Sequence, residues 1–173
     1  EQQDIFKQSL KDNGRTFTQQ FVALPGKSEH QTGLAIDLGL KKESIDFIRP
    51  DFPYIGICQQ FREKSVPYGF IERYPREKEH ITGIAHEPWH FRYVGTPHAE
   101  IMREHHFCLE EYIDFLKRFS QDQPYTFYKD SQEIQIFYLK ADTESVSLEV
   151  AEDGSLSVSG NNVDGYIITE WRG

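Results

Sequence analysis

Apolar residues fall at helical spacing from the start of the chain. Ile5, Phe6 and Leu10 share one stripe, which predicts a helix over 1–12 stopped by Asn13-Gly14. The polar stretch 15–29, with Pro25-Gly26 inside it, reads as a loop ending at Ser28. In 33–39, Leu34, Ile36 and Leu38 alternate with Ala35 and Asp37, the period of a strand. The segment 51–65 sets Tyr54, Ile57, Cys58 and Phe61 on one helical face. Strands are expected at 68–73, after Pro67, and at 89–94, where WHFRYV is rich in aromatics. Thr96-Pro97 opens a helix over 97–105. A further helix covers 109–120, with Leu109, Tyr112, Ile113, Leu116 and Phe119 inward.

After Gln123-Pro124 the pattern changes to β-branched and aromatic segments: YTFY, IQIFYLK, SVSLEV, SLSVS and GYIITEW. Glu152-Asp153-Gly154 and Asp164-Gly165 punctuate them as turns. The expected class is α+β. A small antiparallel sheet with flanking helices fills 1–123, and a C-terminal antiparallel β module fills 124–173.

Composition narrows the function. The 173 residues suffice for one cored domain plus a small appendage, and a net charge of -9 argues against nucleic acid as a partner. No apolar run approaches the ~20 residues of a spanning helix. Cys58 and Cys108 lie in helical patterns and read as reduced, buried thiols. The chain opens on Glu1 without Met or signal peptide, as though entered mid-domain.

Two stretches carry chemistry: SEHQTGLAID (28–37) and HEPWHFRYVG (86–95). A catalytic zinc takes three protein ligands and keeps one position open. His30 and Asp37 would stand roughly 23 Å apart in extended chain, so they converge only if the chain turns at Gln31-Thr32-Gly33. Asp37, on the polar face of an apolar strand, needs a partner, and a cation would serve.

The second stretch matches H-E-x-x-H, but Pro88 opposes a helix there. In a strand the side chains of 86 and 90 stand about 13 Å apart and cannot share an ion. A bend at Pro88 would instead bring Glu87 beside His90. The preferred reading is His30, Asp37 and His90 as metal ligands, with Glu87 free as general base. Spacing alone leaves open that both histidines are ordinary core or surface residues. His80, His86, His98, His105 and His106 are expected to be solvated or helix-terminal.

The pattern S-x-H-x-x-G-x-A-x-D followed by E-x-W-H resembles the zinc D-alanyl-D-alanine peptidases of the VanX, VanY and VanXY type. SEHQTGLAIDLGL and HEPWHFRYVG look most like the VanY and VanXY members. The resemblance covers about 1–120. It implies Zn2+ on His30, Asp37 and His90, catalysis by Glu87, and substrate contacts from Ser28 and Gln2. Trp89 and Tyr93 are expected in the aromatic core, with walls of the pocket as the alternative. The family's upstream arginine would lie before Glu1.

The implied substrates are the D-Ala-D-Ala dipeptide or a muramyl pentapeptide. Alternatives are an L,D-carboxypeptidase or peptidoglycan endopeptidase of the same fold, or a non-catalytic wall-precursor binder. The cytoplasm is the expected location, with a membrane-anchored form as alternative. Pairing into a homodimer stays open.

Overall fold

A computed structural model of the protein describes residues 2–142, 145, 148 and 154–172. Five α-helices and seven strands are formed among them, in two compact units, Glu1–Cys108 and Leu109–Gly173.

The first unit begins with α1 (Gln2–Phe21), which is longer than its stripe predicts. The break expected at Asn13-Gly14 is there: Gly14 has φ 81° and ψ 174°, outside helical space. The helix then resumes through 15–21, where a loop was expected. Two contacts explain the resumption. Ser9 and Thr18 hydroxyls meet at 2.8 Å across the break, both buried, and Thr18 Oγ1 donates to the Gly14 carbonyl at 2.9 Å. Phe17 and Phe21, one turn apart, pack at 4.8 Å beneath the Arg49 guanidinium. Two phenylalanines in an otherwise polar run gave too weak a period to signal a helix.

The sheet of this unit has the order β1-β3-β2, all antiparallel: β1 (Ala35–Asp37), β2 (Phe70–Tyr74) and β3 (Glu87–Tyr93). Its central strand, β3, is the expected aromatic strand begun earlier, at Glu87. One face carries the core, where Phe91 is fully buried and stands edge-on to Phe52 and Phe61. Truncating an aromatic side chain buried this fully costs about 3–5 kcal/mol. The other face carries the polar side chains of β1 and β3.

Helix α2 (Gly56–Ser65) starts later than predicted. Pro53 disfavours helical angles at Phe52, and Gly56 itself has φ +57°. Tyr54 therefore stays outside the helix and Ile57 faces solvent. Arg62 of α2 is nearly buried. Its Nε donates to Glu72 at 2.8 Å, and its terminal nitrogens donate to the carbonyls of Pro53, Phe52 and Pro88 at 2.7–2.8 Å. The short α3 (Glu79–Thr82), which sequence did not signal, leads into β3, and α4 (His98–His105) follows it as expected.

The second unit opens with α5 (Leu109–Leu116). Composition shifts at 123–124, and by its contacts this helix groups with the sheet that follows it. Phe115 and Phe119 pack against Tyr125 at 5.2 and 5.3 Å, and the Phe119 carbonyl accepts from Tyr138 N. The sheet is antiparallel, in the order β4-β5-β7-β6: β4 (Tyr125–Lys129), β5 (Gln132–Lys140), β6 (Ser155–Gly160) and β7 (Gly165–Arg172). Asp130 and Ser131, both with positive φ, close the first hairpin. Ile134, Ile136 and Ile168 form the buried interior. The expected SVSLEV strand and most of the Glu152-Asp153-Gly154 turn lie outside the described residues. Cys58 and Cys108 are buried, as expected, and form no disulfide. No described helix is long and apolar enough to cross a membrane.

Candidate metal centre

Strand pairing sets the first two groups. Asp37 on β1 lies directly opposite His90 on β3, and cross-strand partners in an antiparallel pair project from the same face. His90 Nδ1 stands 3.0 Å from Asp37 Oδ1. His30 comes from a single 3-10 turn, Glu29–Thr32, which Gly33 closes with φ 74° and a hydrogen bond from its N–H to the His30 carbonyl. No neighbour crowds Gly33, so the backbone angle, not space, selects glycine. This is the turn anticipated at Gln31-Thr32-Gly33. It returns His30 Nε2 to 3.4 Å from Asp37 Oδ2.

Glu87 reaches the same place through an irregularity. Residues three apart on a strand ordinarily project from opposite faces. Here the β2–β3 register shifts: between two paired positions β2 runs from Glu72 to Tyr74 while β3 runs from Phe91 to Glu87. The extra residues in β3, Pro88 among them, bring Glu87 Oε2 to 3.7 Å from His90 Nδ1. The H-E-x-x-H match is a strand, as Pro88 implied. His86 turns away to Tyr54 and Arg76, at 2.7 and 3.2 Å.

A cavity of about 160 Å³ opens over this cluster, and all six residues singled out in the sequence line it: Gln2, Ser28, His30, Asp37, Glu87 and His90. The Gln2 amide nitrogen donates to the Ala23 carbonyl at 2.8 Å, leaving its oxygen for other partners. The Ser28 hydroxyl caps no helix. Trp89 serves both expected ends, buried in the core and lining the cavity, whereas Tyr93 packs on Phe70 outside it. Tyr74, which sequence reasoning passed over, also lines the cavity, its ring 5.1 Å from His90.

Glu29 was also missed, though it adjoins His30. Its Oε1 accepts from Arg73 Nε at 2.8 Å and pairs with Arg92 at 3.1 Å, while Oε2 faces His90 Nε2 at 3.5 Å. An acidic residue in a polar turn carries no signal of burial, and its two arginines are remote in sequence.

The electrostatics separate the carboxylates. Burial works to raise Glu29, but His90, Arg73 and Arg92 outweigh it and hold the group at about 2. Burial likewise opposes Asp37, and His30 with His90 brings it to about 2. Glu87 goes the other way. Burial outweighs the opposing charge of His90 and, with Asp37 and Glu29 adding to the rise and Arg73 opposing it, lifts it to about 8. For His90, burial is outweighed by the neighbouring carboxylates of Asp37 and Glu29, and the ring rises to about 9. Outside the cluster, burial lowers His98 to about 4. His98 stands at the first position of α4, a helix-terminal place as expected, and burial there favours its neutral form. His105 and His106 end α4 as anticipated.

These shifts fix a pH dependence for metal-free protein. Glu87, raised from 4.5 to about 8, and His90, raised from 6.5 to about 9, keep protons in the folded state that the unfolded chain has released. Stability therefore falls as pH rises, most steeply where both windows overlap, between the ordinary histidine value and that of Glu87. The slope is about 1 kcal/mol per pH unit for each proton. Thermal denaturation in excess chelator should show it, and a flat or rising midpoint across that range would contradict the assignment. Asp37 and Glu29 act at the other end, losing their contribution as pH falls toward 2.

The donor set suits a divalent cation. One nitrogen each from His30 and His90 and one oxygen from Asp37 lie within 4.8 Å of one another. Two imidazoles and a carboxylate, with a side of the cluster open to the cavity, are a zinc-type ligand set.

Known proteins are similar to this chain in sequence and fold. The bifunctional D-Ala-D-Ala dipeptidase and D-Ala-D-Ala carboxypeptidase VanXYC of Enterococcus gallinarum is 54% identical over 117 residues, 67% of this chain and 62% of that protein. The chain thus spans less than two thirds of this relative's length. The crystal structure of the vancomycin resistance D,D-dipeptidase VanXYg, in complex with a D-Ala-D-Ala phosphinate analog, superposes with a TM-score of 0.96 at 55% identity. It covers 99% of this chain and 69% of that one. A mutant of the vancomycin resistance D,D-pentapeptidase VanY from the VanB-type cassette, in complex with Zn(II), gives a TM-score of 0.52 at 35% identity. That match covers 65% of this chain and 64% of the other. The family model described as VanY, D-alanyl-D-alanine carboxypeptidase, matches residues 1–96. A match over more than half of its residues makes this chain a member of the VanY D-alanyl-D-alanine carboxypeptidase family.

Proposed function

We propose that the chain is the catalytic part of a zinc-dependent D,D-peptidase that hydrolyses D-Ala-D-Ala termini of peptidoglycan precursors, as in vancomycin resistance. The single observation that carries the reading is the convergence of His30, Asp37, His90 and Glu87 on one cavity. His30, Asp37 and His90 hold the ion. Bound there, zinc supplies Lewis-acid polarisation of the scissile carbonyl and lowers the pKa of its water to about 7.

Glu87 does the proton work. Next to a cation, the burial and the two carboxylates that raise it are opposed by a positive charge, so it is available as a base. It takes a proton from the attacking water and returns it to the departing D-alanine amine. The Ser28 hydroxyl and the free oxygen of Gln2, both on the cavity wall, hold the substrate's terminus. The two buried cysteines, which form no disulfide, support the cytoplasm as the place of action.

The likeness to VanXYC and VanXYg favours a bifunctional dipeptidase and carboxypeptidase over an L,D-carboxypeptidase, an endopeptidase or a binder. D-alanine release from the free dipeptide and from a muramyl pentapeptide, each with and without chelator, tests this. Release from both, stopped by chelator, is expected. No release from either by zinc-loaded protein would leave only the binding module.

A further inference from the structure

Glu29 has two carboxylate oxygens in unequal settings. Oε1 is held by two guanidinium groups, Arg73 at 2.8 Å and Arg92 at 3.1 Å. Oε2 is buried without a hydrogen-bond partner, and so is Nε2 of His90. These two atoms face each other at 3.5 Å. The opposite edge of the same ring, Nδ1, is turned to Asp37 and Glu87, at 3.0 and 3.7 Å.

We infer that Glu29 is a positioning residue for the metal centre: its carboxylate receives the Nε2–H of His90 and so presents the Nδ1 lone pair to the cation. The inference rests on the assignment of His30, Asp37 and His90 as metal ligands. A neutral imidazole carries one N–H and one lone pair, and the partner of one nitrogen decides the role of the other. A carboxylate only accepts, so it selects Nε2–H, the tautomer that leaves Nδ1 free. Arg73 and Arg92 complete the relay by anchoring Oε1. The chain of contacts therefore runs guanidinium, carboxylate, imidazole, ion, and partners of this kind are typically worth 10–100-fold in metal affinity.

A competing role is charge balance: Glu29 would merely neutralise Arg73 and Arg92. Two substitutions separate the roles. In Glu29→Gln the single amide oxygen stays with the arginines, which can only donate, so the amide nitrogen donates toward His90 Nε2. That favours the Nδ1–H tautomer and opposes metal binding. In Glu29→Ala nothing imposes the wrong tautomer.

Zinc affinity of the whole chain, measured by competition with a chromophoric chelator, should fall by about 10–100-fold in Glu29→Gln and by less in Glu29→Ala. Charge balance predicts the reverse order, since Gln is the closer replacement, and that order would overturn the inference. Unchanged affinity in both would do the same. Zinc-loaded wild type should also show a downfield, slowly exchanging imidazole proton on His90 Nε2, and its absence overturns the inference even where a variant fails to fold. Wild type that binds no zinc defeats the ligand assignment itself, whereas zinc-binding wild type with indifferent variants defeats only the role of Glu29.

Discussion

Glu87→Gln should lower D-alanine release by about 10²–10⁴-fold while zinc stays bound. The substitution keeps size and burial but removes the only feature a base needs, a lone pair that can take a proton and later give it back. Glu87 stands beside the proposed ligand set, 3.7 Å from His90 Nδ1, so its loss takes no ligand from the ion. The same change should relieve metal-free protein of part of its decline at rising pH, because burial no longer has a carboxylate to penalise there. Steady-state release assays and metal analysis on one preparation check both halves. Activity near wild type would remove Glu87 from the chemistry, and loss of zinc would make it a ligand instead.

His90→Ala should abolish zinc binding and activity together. It removes a proposed ligand nitrogen at the middle of the cluster, the ring standing 3.0 Å from Asp37 and 3.5 Å from Glu29. It also empties a buried position and takes the ring away from the buried Oε2 of Glu29, and a cavity of this kind lowers stability. The expected result is therefore a lower melting point as well as a metal-free protein, with no rescue by added zinc. Dialysis against zinc followed by metal analysis tests it, and stoichiometric zinc in the variant would refute the ligand assignment.

Much of this site was readable from the chain, for identifiable reasons. Gly33 announced a turn, and a turn was the only means of bringing His30 near Asp37. Pro88 ruled out a helix through 86–90, which separated His86 from His90 before any coordinates. What stayed hidden depends on long-range pairing. No local pattern states that Asp37 falls opposite His90, or that β3 shifts its register against β2 at Glu87. Glu29 lay hidden for a similar reason, since its importance rests on Arg73 and Arg92, far along the chain. The errors in the elements share a cause: contacts overrode local signals. Ser9 and Thr18 bridge the two halves of α1 across Gly14, and aromatic packing draws α5 to the sheet beyond the composition shift.

Arg62 gathers four attachments at one buried point: Glu72 on β2, the carbonyls of Phe52 and Pro53 ahead of α2, and the carbonyl of Pro88, next to Glu87. A planar five-donor group can serve so many directions, and a lysine ammonium cannot. The steadiness of Glu87, the proposed base, is thus borrowed from a helix that lies on the far side of the sheet. Any effort to re-engineer that distant surface would reach the reacting atoms through this one guanidinium.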